Sequence, residues 1–180
     1  LATANAARFC GADVVFADVD PDNALLTAKT LEAAIAHAGT KYRLRAVLPV
    51  HVNGFVADMT GIHEVADRHG LEVIEDACHA LGSVHPAGNG VMARSGDCAL
   101  SRMACFSLHP VKTMTTGEGG VTTTNDDGLA ARMRPWGSCT SGRKPGRIGR
   151  SFQSRSSVEV YSSTWPSPIV ASTIAAAPLV

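Results

Sequence analysis

Short apolar runs alternate with amphipathic stretches along the first 134 residues of the chain. Runs rich in Val, Ile and Phe predict strands, and apolar residues recurring every three or four positions predict helices. The predicted strands are residues 14–19, 45–52, 71–75, 98–106 and 121–124. The predicted helices are residues 2–10, 27–38, 58–68, capped by Asp58, and one capped by Asn125 or Asp126 that continues to about Met133. This order predicts an α/β fold with an open, mainly parallel sheet, helices on both faces and right-handed crossovers.

The remainder of the chain has a different character. Ser, Gly, Pro and Arg are frequent in residues 135–168, and no apolar periodicity there is long enough to predict a packed element. We therefore expect a sheet domain over residues 1–134 and an irregular, poorly ordered tail over residues 135–180. An unusual natural loop region and a reading-frame error or truncated gene copy would both produce such a tail, and the sequence leaves the two open.

Composition narrows the class of protein. Apolar residues make up 45% and charged residues 18% of the chain, as in globular proteins with a packed core. Lys plus Arg equals Asp plus Glu, with 16 of each, so no net field attracts nucleic acid or anionic lipid. The longest apolar stretch, residues 169–180, is interrupted by polar residues and too short to cross a bilayer. Nucleic-acid and membrane partners are therefore not predicted.

The cysteines and the start of the chain bear on its setting. Five cysteines, without a Cys-x-x-Cys pair, indicate neither a zinc ribbon nor a disulfide framework. Reduced thiols favour the cytoplasm. The chain begins at Leu1, with neither an initiator Met nor a secretion signal, and we expect it to begin within a longer gene product.

Three chemically capable residues follow predicted strands. Asp76 comes directly after strand 71–75, and Lys112 lies in the turn after strand 98–106. Ligands of open α/β sheets bind beyond the carboxyl ends of the strands, where both residues are expected. His79 lies three residues after Asp76, and a helical turn would put both side chains on one side. Each residue alone also has an ordinary interpretation, as a helix cap, a structural histidine or a solvated surface lysine.

Two longer strings outweigh those interpretations. Residues 73–83 read Val-Ile-Glu-Asp-Ala-Cys-His-Ala-Leu-Gly-Ser, and residues 106–113 read Phe-Ser-Leu-His-Pro-Val-Lys-Thr, followed by Thr-Gly-Glu-Gly-Gly at 116–120. In order and spacing, residues 3–133 resemble the aminotransferases that install amino groups on nucleotide-linked keto-sugars, a family named after the DegT, DnrJ, EryC and StrS proteins. The resemblance implies the large domain of a fold-type I pyridoxal-phosphate enzyme, incomplete at both ends.

The resemblance also implies roles for individual residues. Lys112 would bind the aldehyde of pyridoxal 5′-phosphate covalently and, once freed, move the proton at the reacting carbon. Asp76 would keep the pyridine nitrogen of the cofactor protonated. Ser107 would donate to the cofactor phosphate, and His79 would contact the ring near its 3-hydroxyl group. No metal site is implied.

Substrate and assembly follow from the same resemblance. It implies a nucleotide-linked 4-keto-6-deoxy sugar as substrate, with UDP the preferred nucleotide and glutamate the amino donor. His79 and the Ser-Leu-His-Pro-Val-Lys string are most similar to the branch that makes the 4-amino precursor of pseudaminic acid. Members of the family are homodimers whose active sites use both subunits, through regions that residues 1–180 do not match.

Three alternatives remain on the sequence alone. One is a non-catalytic fragment of such an enzyme that does not bind the cofactor usefully. Another is a metal-binding protein using cysteines and His51, His79, His85 and His109, although no pair has the spacing of structural zinc sites. The third is another enzyme of the same fold: a desulfurase, which needs a mobile nucleophilic cysteine, or a dehydratase, whose relatives have histidine in place of the cofactor lysine.

Overall fold

The structure, a computed structural model, describes residues 1–137, 157–161 and 173–177. Its helices are α1 (Ala2–Phe9), α2 (Ala28–Ala38), α3 (Met59–His69) and α4 (Asp127–Gly137). Its strands are β1 (Asp13–Phe16), β2 (Arg43–Leu48), β3 (Glu72–Asp76), β4 (Val84–Pro86), β5 (Met92–Arg94), β6 (Met103–Ser107), β7 (Gly120–Thr124), β8 (Ser157–Tyr161) and β9 (Thr173–Ala177).

Side-chain caps begin three of these helices. The Thr27 hydroxyl accepts from the Thr30 N–H at the start of α2, and the Asp58 carboxylate accepts from the Gly61 N–H at the start of α3. Asp126 accepts from the Leu129 N–H at 2.8 Å, which decides between the two predicted caps of α4. These bonds satisfy N–H groups that have no partner within the helix, so the polar residue before each apolar stripe fixes where the helix begins.

The larger sheet has the strand order β1-β9-β2-β3-β6-β7-β8. Strands β2, β3 and β6 pair in parallel, whereas β7 and β9 are antiparallel to both of their neighbours. Strands β1 and β8 therefore run in the same direction as β2, β3 and β6. The predicted α/β class with a mainly parallel sheet is confirmed.

Several strand boundaries differ from the prediction for local reasons. The predicted strand 98–106 begins only at Met103, because Asp97 accepts from the N–H groups of Arg94 and Ala99 and closes a turn in front of it. The predicted strand 45–52 ends at Leu48, before Pro49, which has no N–H to give to a ladder.

Four strands were not predicted. Strands β4 and β5 form a separate antiparallel hairpin of three-residue strands, too short to show an alternating pattern. Strands β8 and β9 lie within residues 135–180, where only an irregular tail was expected, and α4 continues past residue 134 to Gly137. The other residues of the expected tail lie outside the described residues.

The main core lies between the sheet and helices α2 and α3. Leu31 of α2, Ile62 of α3 and Val47 of β2 are fully buried there. In β3 and β6, buried and half-buried residues alternate, so that one face of the sheet is covered and the other partly open. Asp76 and Ser107 lie on the partly open face, where a ligand could approach them.

None of the helices within the described residues is long and apolar enough to cross a membrane.

Candidate active site

Asp76 stands at the carboxyl end of the central strand β3. Its backbone N–H donates to the Pro49 carbonyl at 2.9 Å, and its carbonyl accepts from the His51 N–H at 3.0 Å. On the other side, Asp76 pairs in register with Cys105 of β6. The backbone of Asp76 is thus held on one side by the segment that follows β2 and on the other by β6, which sets the direction in which its carboxylate leaves the sheet.

The Asp76 carboxylate accepts one hydrogen bond from a side chain and one from a backbone N–H, and the Cys78 thiol also interacts with it. The Thr3 hydroxyl, from helix α1, donates to Oδ2 at 2.6 Å, and the backbone N–H of Cys78 donates to Oδ1 at 3.2 Å. An ionised carboxylate has about four acceptor positions. The two bonds leave room for a further donor, such as a protonated ring nitrogen.

Lys112 and His79 are in direct contact, with 2.6 Å between Lys112 Nζ and His79 Nε2. Burial and the nearby positive charge of Lys112 lower the pKa of His79 below its ordinary value of 6.5. The imidazole is therefore neutral at neutral pH, and because a lysine ammonium has only donors, Nε2 is the nitrogen without a proton and accepts the hydrogen bond. The sequence placed these residues 33 positions apart, and the fold brings them together.

The loop between β6 and β7 holds Lys112 in this position. Leu108 closes the loop, since its N–H donates to the Gly119 carbonyl at 2.8 Å and its carbonyl accepts from the Thr116 N–H at 3.1 Å. Within it, the Lys112 N–H donates to the His109 carbonyl at 2.9 Å across a turn that contains Pro110. Proline favours such turns because its φ is already set.

Ser107 lies at the end of β6, on the same face of the sheet as Asp76. Cys105 pairs with Asp76, so the two side chains share a face of the sheet. Ser107 is two residues further along β6, and alternate residues of a strand point to the same face. The Ser107 hydroxyl accepts from the His109 N–H at 3.3 Å, which leaves its hydrogen available to a ligand. The four predicted site residues thus lie at one end of the sheet, with a direct contact between Lys112 and His79.

A buried polar cluster, formed by Glu75, His51 and Ser101, lies on the opposite face from Asp76. Glu75 Oε2 is 3.1 Å from His51 Nε2, and Oε1 accepts from the Ser101 hydroxyl. His51 Nδ1 accepts from the Ala57 N–H at 3.3 Å, so the ring proton is on Nε2 and is donated to Glu75. Sequence reasoning missed this cluster. The signal for it was a carboxylate inside a strand expected to be buried.

The cysteines near the site are poor nucleophiles. Burial, reinforced by the Asp76 carboxylate, raises the pKa of the Cys78 thiol, and burial also raises the pKa of Cys98 and of Cys105. These thiols stay protonated at neutral pH, which argues against the desulfurase alternative because the thiolate is the reactive form. Within the described part of the chain, no three His, Cys, Asp or Glu side chains are grouped to hold a metal ion.

Comparison with known proteins shows which family this chain resembles. Residues 1–156 match the DegT/DnrJ/EryC1/StrS aminotransferase family. The chain is 47% identical over 135 residues to the GDP-perosamine synthase of Caulobacter vibrioides, a match that covers 74% of this chain and 33% of that protein. It is 39% identical over 137 residues to the UDP-4-amino-4-deoxy-L-arabinose–oxoglutarate aminotransferase of Shewanella sediminis, covering 74% and 31%.

A solved structure agrees with these matches. The structure of DesI in the presence of its TDP-sugar product is similar with a TM-score of 0.62 and 38% identity, covering 74% of this chain and 31% of DesI. The chain spans about a third of the length of the curated relatives that it matches. Since the family match extends over most of the chain and includes all four candidate residues, this chain belongs to the DegT/DnrJ/EryC1/StrS aminotransferase family.

Proposed function

We propose that this chain is part of a pyridoxal-phosphate-dependent aminotransferase that acts on a nucleotide-linked 4-keto-6-deoxy sugar. The observation that supports the proposal most directly is the contact between Lys112 and His79, at the same carboxyl end of the sheet as Asp76. Family membership makes an aminotransferase the expected chemistry, and dependence on pyridoxal phosphate is implied by the family.

The side chains at this end of the sheet fit pyridoxal phosphate. The cofactor needs an amine for its aldehyde, an anion for its ring nitrogen and a hydrogen-bond donor for its phosphate. Lys112, Asp76 and Ser107 supply these three groups, and Asp76 and Ser107 share one face of the sheet. When bound, the cofactor supplies an electron sink that makes the hydrogen at the reacting carbon acidic.

Lys112 would have two tasks. Its amine holds the cofactor covalently, and when released it moves the proton at the carbon that gains or loses the amino group. His79 Nε2 accepts from the amine at 2.6 Å and keeps it at this end of the sheet, where it can resume either task.

Asp76 and Ser107 would act by charge and hydrogen bonding. The Asp76 carboxylate keeps a proton on the ring nitrogen, because a neighbouring negative charge favours the charged form of the ring. Ser107 donates its hydroxyl hydrogen to the phosphate. The side chain of His79 would also contact the ring near its 3-hydroxyl group.

The relatives support the substrate class. Those named above are a GDP-perosamine synthase, an aminotransferase that uses oxoglutarate, and an enzyme with a TDP-sugar product. Oxoglutarate is the keto acid of glutamate, which supports glutamate as the amino donor. The finer assignment, a UDP sugar on the branch that leads to pseudaminic acid, has its support in His79 and the Ser-Leu-His-Pro-Val-Lys string.

We further propose that the complete enzyme, of which this chain is a part, is a cytoplasmic homodimer. The family resemblance supports the dimer, and the free thiols of the described residues, Cys10, Cys78, Cys98 and Cys105, suit a reducing compartment.

The test is the absorbance spectrum of the chain mixed with pyridoxal phosphate, before and after borohydride, with peptide mapping of the reduced adduct. We expect a visible band for the parent and for a Lys29→Ala control, which removes an exposed lysine of α2. The band should be lost in Lys112→Ala, and the label should map to Lys112.

Equal labelling of the parent and Lys112→Ala, or no band in the parent, would contradict the proposal and favour the alternative of a non-catalytic chain. A positive result would then be followed by assays with glutamate and 4-keto-6-deoxy sugars linked to UDP, GDP and TDP.

A further inference from the structure

The hydrogen bond from Thr3 to Asp76 joins two distant parts of the chain. Thr3 lies in the first turn of α1, 73 residues before Asp76, and its hydroxyl donates to Oδ2 at 2.6 Å. Hydrogen bonds to an ionised carboxylate are shorter and roughly twice as strong as neutral ones. This contact therefore has the length expected of a strong, charge-assisted bond.

Backbone pairing alone does not fix the Asp76 carboxylate. The segment that follows β2 and strand β6 hold the main chain, but the terminal torsion of an aspartate is broad and leaves the plane of its oxygens free to turn. The two donors remove that freedom, because Thr3 binds Oδ2 and the Cys78 N–H binds Oδ1. Only the first of these contacts depends on a side chain and can be removed by substitution.

Thr3 is itself held in place by its helix. Ala4 and Ala7, on the inner side of α1, are buried, with 5% and 8% of their surface exposed. The N–H of Ala12, beyond the end of the helix, donates to the Ala7 carbonyl at 3.1 Å, and the N–H of Asn5 donates to the Leu1 carbonyl. A branched side chain such as threonine also has few rotamers on a helix. The hydroxyl is therefore presented from a rigid support.

We infer that Thr3 is a positioning residue, whose hydroxyl orients the Asp76 carboxylate to hold the proton on the cofactor ring nitrogen. The inference rests on the proposed function, which gives Asp76 its role. A merely structural Thr3 would tie α1 to β3 and affect stability, without changing the protonation of a bound ring.

The test compares four chains: the parent, Thr3→Val, Thr3→Ser and Thr60→Val. Valine keeps the shape of threonine without the hydroxyl, and serine keeps the hydroxyl. Thr60 is a matched control, because it is also half-buried in the first turn of a helix and its hydroxyl also bonds another element, the Pro86 carbonyl at 3.3 Å.

We expect Thr3→Val to bind pyridoxal phosphate about tenfold more weakly than the parent, as for a lost bond to a charged group. The absorbance maximum of the bound cofactor, which depends on the protonation of its ring, should shift as well. Thr3→Ser and Thr60→Val should match the parent in both measurements. In an Asp76→Ala background, Thr3→Val should have no further effect, and urea unfolding of every chain shows that each is folded.

Other results would overturn the inference in distinguishable ways. If the parent binds and Thr3→Val has the same affinity and spectrum, Thr3 does not position Asp76, although the proposed function stands. If Thr3→Val weakens binding equally in the Asp76→Ala background, Thr3 acts through the packing of α1. A parent that forms no adduct at Lys112 overturns the proposed function, and the inference with it.

Discussion

The protonation state of His79 controls whether it can hold Lys112. Burial and the charge of Lys112 keep the pKa of His79 below 6.5, so the ring accepts from the lysine above that pH. As the pH falls below 6.5 and through this lowered pKa, the ring gains a proton, loses its acceptor and repels the amine. The negative charge of the nearby Asp76 carboxylate favours the protonated ring and so offsets the lowering of the pKa only in part. The folded state binds fewer protons than the unfolded chain in this range, so its stability also decreases as the pH falls.

We therefore predict that His79→Gln flattens the pH dependence of cofactor capture below about pH 6.5. Glutamine keeps an acceptor but does not titrate. The measurement is borohydride-trapped label on Lys112 between pH 5 and 8, in the parent and His79→Gln. Both share the pH dependence of the amine, so their difference isolates His79. His69→Gln, which changes an exposed histidine paired with Glu32, is the control, and identical profiles for parent and His79→Gln would refute the prediction.

At the same scale, the sequence predicted the residues of the candidate site better than their partners. Asp76, His79 and Lys112 stand in strings that carry a family resemblance, and their roles remain predictions. Thr3 could not be paired with Asp76, because nothing in local sequence links residues 73 positions apart. The buried cluster of Glu75, His51 and Ser101 was equally hidden, since two of its members come from loops whose course depends on turn geometry.

Among the elements, helices were predicted more closely than strands. A helix begins at a cap that the sequence displays, such as Thr27 or Asp58, and the stripe that follows spans several turns. A strand ends where pairing ends, and pairing depends on neighbours far along the chain. The turn at residues 97–102 shows this, because the apolar residues Cys98, Ala99 and Leu100 suggest a strand while the Asp97 carboxylate bends the backbone.

Gly96, the residue before this turn, packs tightly on β6 and β7. Gly96 has φ +89°, its carbonyl accepts from the Thr123 hydroxyl at 2.6 Å, and a Cβ atom there would lie 2.6 Å from the ring of Phe106. That ring belongs to a buried cluster and is only 8% exposed. Gly88 has nearly the same φ, +87°, with nothing within 4 Å of the corresponding position.

We predict that Gly96→Ala destabilises the fold by about 1–3 kcal/mol more than Gly88→Ala. Both substitutions place a side chain at positive φ, at a similar penalty of about 1 kcal/mol, so their difference isolates the contact with Phe106. Urea unfolding of the two variants and the parent measures it. Equal losses would mean that the turn moves away from β6 at little cost.

For the molecule as a whole, a cofactor that binds only the folded state should stabilise it. At a pyridoxal phosphate concentration 100 times its dissociation constant, we predict a gain of about 2.7 kcal/mol in the free energy of unfolding. For a chain of this size that corresponds to a rise of roughly 5–10 °C in the melting temperature. Thermal unfolding across a series of cofactor concentrations measures it, and Lys112→Ala should show a smaller rise at each concentration. A rise of the same size in Lys112→Ala would contradict the prediction.

The order of the strands in the sheet could not be predicted from the sequence. The alternation of elements gave the α/β class, but β9 is a five-residue antiparallel strand inserted between β1 and β2. Its sequence, Thr-Ile-Ala-Ala-Ala, has no alternating pattern, and three of its residues are alanine, which is uncommon in strands. The pairing of β9 with β1 and β2, which lie far from it along the chain, leaves no trace in the local sequence pattern.

The position of β9 also determines when the sheet can be completed during synthesis, because β9 is made long after β1 and β2. Strands β1 and β2 both pair with β9, and more than a hundred residues separate β2 from β9 along the chain. A ribosome that adds roughly 5–20 residues per second leaves these two edges without their common neighbour for on the order of ten seconds. During that interval the nascent chain presents unpaired strand edges, which other chains and chaperones can bind.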